Sequence, residues 1–169
     1  MQMNAPVSPT HSEFAQKFRE GIRVGFNWDR FLTEKWPIER IVVYTKAELN
    51  LCYTPWYIGI VGEQVAFDDP HSAPMSLEDV PKAMQVLDQA RKSDILEKIA
   101  AFADEDIIRF TVATYSLPNG GYFVMDRNHR LSAVALCHKP FEIEFWNVQG
   151  PFETDALMDL HFWVRNEES

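Results

Sequence analysis

The order of apolar and polar side chains along the chain predicts a series of helices and strands. Phe14 and Phe18 lie about one helical turn apart in His11–Gly21, so this segment is expected to be a short helix with one apolar face. Similar spacing predicts more helices, and β-branched or alternating apolar residues predict strands. The further helices are one that starts near Pro81 and ends at about Arg91, one capped by Ser93 that continues through Phe102, and one at Glu153–Val164; the strands are Ile41–Thr45, Trp56–Val61, Gln64–Phe67 and Phe141–Phe145. This mixture predicts an α/β (mixed α+β) fold.

The clearest supersecondary unit is a β-hairpin within Ile107–Asp126. Two strand-like runs, Thr111–Tyr115 and Tyr122–Met125, flank Leu117–Gly121, which contains a proline and an Asn-Gly pair typical of turns. Leu131–Leu136 is apolar enough to form a helix that faces the core. The polar residues between the hairpin and this helix are therefore predicted to lie on a strand-to-helix turn.

Two local signals concern the ends of elements. Ser76–Asp79 resembles a capping box, with Pro81 near a helix start. Phe141–Phe145 alternates apolar and acidic residues, so it is expected to be a half-buried or edge strand with Glu142 and Glu144 on one side.

Composition indicates one folded unit with an acidic surface. A chain of 169 residues, 46% of them hydrophobic, can bury a core, and it predicts a single domain over residues 11–169 after a flexible lead-in at residues 1–10. The 25 acidic and 16 basic residues give a net charge of −9, which argues against nucleic-acid binding. The acidic surface suits either solubility or a basic protein partner.

Cysteine spacing and hydropathy exclude several classes of protein. Cys52 and Cys137 are far apart and no Cys-x-x-Cys pair occurs, so neither zinc nor haem is expected, and Cys137 is interpreted as a core thiol. No segment has the length and hydropathy of a membrane span or the pattern of a secretion signal. A cytoplasmic protein that does not enter the membrane is predicted.

The densest group of chemically active side chains is Asp126–Arg130, with an acid, an amide, an imidazole and two guanidiniums. Unpaired N–H groups at a helix start attract an anion such as phosphate, and Arg130 can add a bidentate contact. His129 can transfer a proton near neutral pH, while Asp126 can orient an imidazole, cap the helix or hold a metal ion. In the structural alternative, Asp126 is only a cap, Arg130 only an ion-pair partner and His129 only a strand-end group.

Two other segments allow both a functional and a structural interpretation. The loop Asp68–Pro74 carries two carboxylates and a histidine that can bind a divalent cation, although its composition favours a solvated turn. The aromatic segment Gly25–Phe31 can dock a partner or join the core, and the usual burial of aromatic rings favours the core.

The run Gly121–Ala133 resembles the signature of the ParB/sulfiredoxin-like superfamily, in which a strand delivers a turn such as Asp-Gly-x-His-Arg and a helix follows. Pro37–Val43 is similar to the family's first strand, and Phe141–Phe145 is similar to the strand after the motif helix. The resemblance implies a compact α/β domain with a small mixed sheet, whose turn binds the phosphates of a nucleotide.

The turn departs from the family pattern at two positions. Arg127 stands where the family usually has a glycine, so its Cβ is expected to limit how closely a phosphate approaches the backbone. Asn128 stands where sulfiredoxins have a reactive cysteine, which argues against sulfiredoxin chemistry. The variant that this turn resembles most has His-Arg in it, as in ParB-like free serine kinases.

This variant implies ligands and roles for the turn. The expected ligand is ATP, another nucleotide or a phosphorylated small molecule, with Mg²⁺. Asp126 would hold the metal or orient an acceptor, His129 would position or protonate an oxygen, and Glu39 is a candidate second carboxylate. The implied phosphate contacts are Arg127, Asn128, His129 and Arg130.

Two classes of function are expected. The first is a nucleotide- or phosphate-binding protein, either a phosphotransferase, a phosphohydrolase or a non-catalytic binder. The second is an inactive immunity, antitoxin or adaptor protein that covers a basic protein partner. The turn favours the first class, and the second is supported by the charge of −9, the missing turn glycine and the many aromatic residues.

Overall fold

Short polar side chains set where the helices begin. Thr10 and Glu13 bond each other's backbone amides in a capping box, and Asn27, Thr45 and Asp88 each accept from the amide three residues on. The computed structural model describes residues 7–59, 62–66 and 69–167. Its α-helices are α1 (His11–Phe18), α2 (Trp28–Glu34), α3 (Lys46–Leu49), α4 (Val80–Ala83), α5 (Gln89–Phe102), α6 (Asn128–Leu136) and α7 (His161–Glu167).

The strands of the described residues form one mixed sheet. They are β1 (Ile38–Val43), β2 (Cys52–Ile58), β3 (Gln64–Val65), β4 (Ala73–Ser76), β5 (Ile108–Ser116), β6 (Tyr122–Val124) and β7 (Phe141–Val148). Their order is β1-β7-β5-β6-β2-β3, and β4 also pairs with β2. β5 is parallel to β7 and β2 is parallel to β6, whereas the remaining pairs are antiparallel. The predicted mixed α/β class is confirmed.

The predicted hairpin consists of β5 and β6. The carbonyl of Gly121 accepts a hydrogen bond from the amide of Leu117, and Gly120 has a φ of 85°, which glycine adopts without strain. β6 ends at Val124, and α6 begins at Asn128. The polar cluster therefore lies on a strand-to-helix turn, as predicted.

Each face of the sheet carries its own hydrophobic core, because side chains alternate along a strand. In β7, Ile143 and Phe145 belong to one core and Val148 belongs to the other. Helices α4, α5 and α6 cover the first face, whereas α1, α2 and the C-terminal segment cover the second. Phe14 and Phe18 are fully buried in the second core, which confirms the apolar face predicted for the first helix. Together these layers form a single mixed α/β domain.

Of the two alternatives predicted for Phe141–Phe145, the half-buried strand is confirmed, since Phe141, Ile143 and Phe145 are buried while Glu142 is exposed, and the edge strand is wrong. β7 lies between β1 and β5 and pairs with both. Its acidic residues are tolerated inside the sheet because each has a cationic neighbour on the adjacent strand. Glu142 accepts from Arg109 at 3.0 Å, and Glu144 pairs with Arg40.

The helix boundaries near residue 90 also differ from the prediction. α4 ends at Ala83, and Asp88 rather than Ser93 caps α5 by accepting from the amide of Arg91 at 2.8 Å. Arg91 and Ser93 therefore lie within one helix instead of at a break. The buried Leu87 anchors the chain directly before Asp88, so the helix starts earlier than the apolar spacing indicated.

The capping box predicted at Ser76–Asp79 is wrong. Ser76 precedes a 3₁₀ turn at Leu77–Asp79, but its side chain caps no backbone amide. Its hydroxyl and the Asp79 carboxylate are instead 3.2 Å apart in a side-chain hydrogen bond. Pro81 does lie in the first turn of α4, as predicted.

The C-terminal helix is shorter than predicted. Leu157 forms an isolated antiparallel bridge with Phe26, and a 3₁₀ turn at Met158–Leu160 follows. The helix predicted at Glu153–Val164 therefore begins only at His161. Phe26 is buried, which supports the core interpretation of the aromatic segment around it.

Some predictions fall partly outside the described residues. The strand predicted at Trp56–Val61 corresponds to β2, which begins earlier, at Cys52, and the strand predicted at Gln64–Phe67 corresponds to β3. Residues 60, 61, 67 and 68 and the first six residues of the lead-in lie outside the described ranges. Among the helices within those ranges, none is long and apolar enough to cross a membrane.

Candidate functional site

The turn between β6 and α6 contains a left-handed residue. Arg127, the residue before α6, has φ 69° and ψ 34°, a region that glycine adopts without strain. This is the position at which the resembled family usually has a glycine. No side chain caps α6 in the described structure, so its first amides remain available to a ligand.

Asp126 shapes this turn. Its Oδ1 accepts a hydrogen bond from the amide of Arg127 at 2.7 Å. Its Oδ2 packs so closely against Gly21 that a Cβ at that glycine would come within 2.3 Å of it. Arg127 rather than Asp126 occupies the cap position of α6. Asp126 thus joins the turn to the segment after α1.

A cleft of about 580 Å³ opens beside the turn. Its walls come from four parts of the chain: the turn with the start of α6, the segment after α1, β2, and the first turns of α5. Its charged residues are Arg23, Arg91, Asp94, Asp126 and Arg127. Positive charge is therefore in local excess on a chain whose net charge is −9.

Two of the three cleft arginines have no carboxylate within ion-pair distance among the described residues. Arg127 is half-buried, and burial together with the nearby charge of Arg130 lowers the pKa of its guanidinium. Arg23 is exposed. Arg91 lies 5.3 Å from the ring centre of Trp56 and 3.7 Å from the Asp88 carboxylate. Guanidiniums that lack a counter-charge favour an anionic ligand.

His129 lies between the cleft and α5. Its ring centre is 5.3 Å from that of Trp56, and its Nε2 is 3.8 Å from Oδ2 of Asp94. This nitrogen is buried and has no hydrogen-bond partner among the described residues. Burial lowers the pKa of His129 below 6.5, against the opposing effect of Asp94, so the imidazole is neutral at pH 7.

Asn128 connects the start of α6 to the strand before it. Its Nδ2 donates to the carbonyl of Val124 at 3.3 Å. Its Oδ1 is buried and has no partner in the described structure. Because an unpaired buried acceptor is destabilising, the Oδ1 of Asn128 is suited to accept a hydrogen bond from an N–H or O–H group of a ligand.

Two of the predicted site residues do not line the cleft. Arg130 is exposed and is not among the residues of its wall, although it follows His129 directly. Glu39 is exposed on β1, where it accepts from Gln149 at 2.9 Å. Two strands separate β1 from β6, which places Glu39 roughly 14 Å from the strand that carries the turn.

Sequence reasoning missed Arg23, Trp56 and Arg91 as site residues. Arg23 follows α1, Trp56 was interpreted only as part of a strand, and Arg91 was placed at a helix end. Each is an isolated residue in its own segment, so no motif marks it. The approach of these three segments is a result of tertiary packing.

The described residues hold no cluster of three or more histidine, cysteine or acidic side chains that could bind a metal. In the loop Asp68–Pro74, for which a solvated turn is favoured over a cation site, Asp69 accepts from the amide of His71 at 2.8 Å, as in a turn, while Asp68 lies outside the described residues. Burial raises the pKa values of both Cys52 and Cys137. Cys137 follows the last residue of α6 and is only half-buried.

The chain was compared with models of protein families, with curated proteins and with solved structures, and none of them matches it. The resemblance to the ParB/sulfiredoxin-like superfamily therefore stays a prediction that rests on the turn and its flanking elements.

Proposed function

We propose that the cleft beside the turn binds the phosphate of a small molecule, with a nucleotide as the class that the family resemblance favours. The observation that carries this proposal is the convergence of Arg23, Arg91 and Arg127, from three separate segments, on an uncapped helix start. Backbone amides at such a start and arginine side chains both favour phosphate oxygens.

The electrostatics support an anion rather than a cation as ligand. Three arginines and two aspartates line the cleft, and one of the aspartates, Asp126, has Oδ1 bound to a backbone amide. Neutral His129 would contribute a hydrogen bond and no charge. The excess of arginines over aspartates in the cleft, together with an uncharged histidine, suits a ligand that carries one or two negative charges.

Mg²⁺ fits this site only together with phosphate oxygens. Asp126 is the one carboxylate of the turn, and the described structure adds no acidic cluster around it. Magnesium in proteins commonly takes one or two carboxylates and completes its shell with water and substrate phosphates. If Mg²⁺ accompanies the ligand, Asp126 is the residue that would hold the ion. The charge of the ion would then offset that of the phosphates.

Catalysis has less support than binding. Asp126 holds the turn in place, and the buried Nε2 of His129 is directed at Asp94. Glu39 lies too far away to act as a second carboxylate. We therefore propose a phosphate-binding protein; phosphotransfer would in addition require an acceptor group, and phosphohydrolysis would require a water molecule as the nucleophile.

The alternative of an acidic protein that covers a basic partner loses part of its support. This alternative needs aromatic residues that anchor an interface, but Phe14, Phe18 and Phe31 are fully buried in the second core. The net charge of −9 still suits a basic partner, so the ligand experiment decides between the two classes.

Calorimetric titration of inorganic phosphate, pyrophosphate, ATP and CTP, with and without Mg²⁺, tests the proposal. We expect at least one of these ligands to bind, and Arg127→Gln to weaken its binding by about 10- to 150-fold, the loss of a charge-assisted hydrogen bond. Arg109→Gln, which removes an exposed arginine paired with Glu142, is the matched control and should bind like the wild type.

Arg130→Gln separates the sequence prediction from the structure. The sequence predicted that Arg130 forms the phosphate fork, whereas the cleft is lined by Arg127. A larger loss of binding in Arg130→Gln than in Arg127→Gln would contradict the geometry proposed here. Absence of binding by all four ligands would overturn the function itself.

A further inference from the structure

A second cleft adjoins the first. It has a volume of about 400 Å³ and shares Arg23, Val24 and Pro55 with the wall of the first cleft. Its remaining polar residues are Tyr57 from β2 and Asp159 from the 3₁₀ turn before α7. A molecule of moderate length can therefore contact both clefts at once.

Asp159 is a buried carboxylate at this second cleft. Only 7% of the residue is exposed, and its Oδ2 accepts a hydrogen bond from the hydroxyl of Tyr57 at 2.5 Å. The ring of Tyr57 stacks on His161, with ring centres 5.8 Å apart and planes 16° from parallel. Because the tyrosine proton is directed at Asp159, the carboxylate keeps acceptor capacity, and it suits a ligand that donates hydrogen bonds.

The negative charge of Asp159 has little compensation. No lysine or arginine lies within ion-pair distance of it among the described residues, although Arg23 lines the same cleft. Burial raises the pKa of Asp159, and the hydrogen bond from Tyr57, the charge of His161 and a hydrogen bond from its own backbone amide offset only part of that effect. A buried carboxylate whose charge is only partly offset is unfavourable, so a cation brought from outside would be stabilised there.

A purely structural role does not account for the charge. The Tyr57–Asp159 hydrogen bond does connect β2 to the C-terminal segment. An asparagine at position 159 could accept the same hydrogen bond without burying a charge, and it would be the less costly residue for a tether. The buried negative charge of Asp159 is therefore the observation that indicates a cationic ligand.

We propose that Tyr57 and Asp159 bind a protonated amine carried by the same ligand whose phosphate occupies the first cleft. The inference rests on the proposed function, and it names the ligand class: an aminoalkyl phosphate or a larger phosphate ester with a primary amine. Ammonium offers three donors, which match the acceptor capacity of the carboxylate.

Calorimetry with matched ligand pairs tests this inference on the full chain. The probes are ω-aminoalkyl phosphates of two to six carbons, each paired with the n-alkyl phosphate of the same length. We expect the wild type to prefer the amine at one or more lengths by about tenfold or more, the effect of a charge-assisted contact. Asp159→Asn should abolish the preference while leaving the affinity for alkyl phosphates unchanged, and Tyr57→Phe should reduce it.

The outcomes separate this inference from the function on which it rests. Equal affinity of the wild type for both members of every pair overturns the amine site and leaves phosphate binding intact. If neither member binds at any length, phosphate binding fails and the amine site falls with it. The wild-type comparison needs no variant, so it decides the question even if Asp159→Asn does not fold.

Discussion

At the scale of single residues, Arg127 connects stability with binding. A side chain in the left-handed region costs about 1–2 kcal/mol relative to glycine, because its Cβ crowds the following carbonyl. The same residue places a half-buried guanidinium in the cleft without an ion-pair partner among the described residues. A strained conformation that presents a functional group is a recurrent property of binding sites.

Replacement of Arg127 should therefore move stability and binding in opposite directions. Arg127→Gly should leave the free energy of unfolding unchanged or raise it by up to about 1 kcal/mol, because the strain is relieved, while phosphate binding falls. Urea unfolding and calorimetry on the same sample measure both. Arg130→Gly is the control, since a glycine inside α6 should lower stability by about 1 kcal/mol. A clear loss of stability in Arg127→Gly would show that the guanidinium, and not the backbone, holds the turn.

His129 should make stability depend on pH. Its pKa in the folded state is lowered mainly by burial, so the unfolded chain takes up a proton at higher pH than the native protein. The contribution of His129 is present above pH 6.5 and is lost as the pH falls through the lower, folded pKa. Thermal melts from pH 7.5 to 5 should show the wild type losing stability relative to His129→Asn. Parallel curves for the two proteins would rule out this role.

At the scale of elements, the beginning of α5 decides where Arg91 points. Asp88 caps the helix by accepting from the amide of Arg91, and this places Arg91 in the first turn, above the ring of Trp56. Asp94, one turn later, faces His129 on α6. The cap thus sets the register with which α5 presents two charged residues to the cleft.

Removal of the Asp88 cap should lower the melting temperature more than removal of the nearby Ser93 hydroxyl does. Asp88→Ala should lower the Tm by about 2–4 °C, the shift that a lost cap produces in a domain of this size. Ser93→Ala, within the same helix, should leave the Tm within about 1 °C of the wild type, because Ser93 is exposed and its 3.3 Å hydrogen bond from the Gln89 side chain is exposed as well. The opposite ranking would restore Ser93 as the helix start. Differential scanning calorimetry makes the comparison.

At the scale of the whole molecule, a positive cleft lies on a strongly acidic protein. The excess acidic side chains that give the net charge of −9 repel one another across the surface, whereas the arginines of the cleft attract anions locally. Salt screens both interactions, but with opposite consequences for folding and for binding.

Sodium chloride should therefore stabilise the fold and weaken the complex. Between about 0.05 and 0.3 M salt, the screening length shortens from roughly 14 to 6 Å, so the Tm of the free protein should rise while the affinity for the phosphate ligand falls. Thermal melts without ligand and calorimetry with pyrophosphate provide the two measurements. An affinity independent of salt would indicate that the arginines do not contact the ligand.

The sequence predicted the turn on which the site lies, but it predicted only some of the residues that line the cleft. The strand-to-helix turn at Asp126–Arg130 follows from an apolar strand, polar residues and an apolar helix in succession, and it is confirmed. Within it, side-chain directions were not predictable: Arg127 lines the cleft and Arg130 does not. Glu39 was selected from a resemblance of its strand, yet β7 and β5 separate that strand from β6.

The sequence by itself determined the hairpin, the turn and the apolar face of the first helix, because these depend on neighbours within a few residues and on the periods of strands and helices. Only the tertiary structure decided that β7 lies inside the sheet, and that Arg23, Trp56 and Arg91 meet the turn. Arg91, Trp56 and Arg23 lie 35, 70 and 103 residues before Asp126 along the chain. They meet the turn because both faces of one sheet must be covered at the same time. Packing on that scale leaves no pattern in any single stretch of sequence.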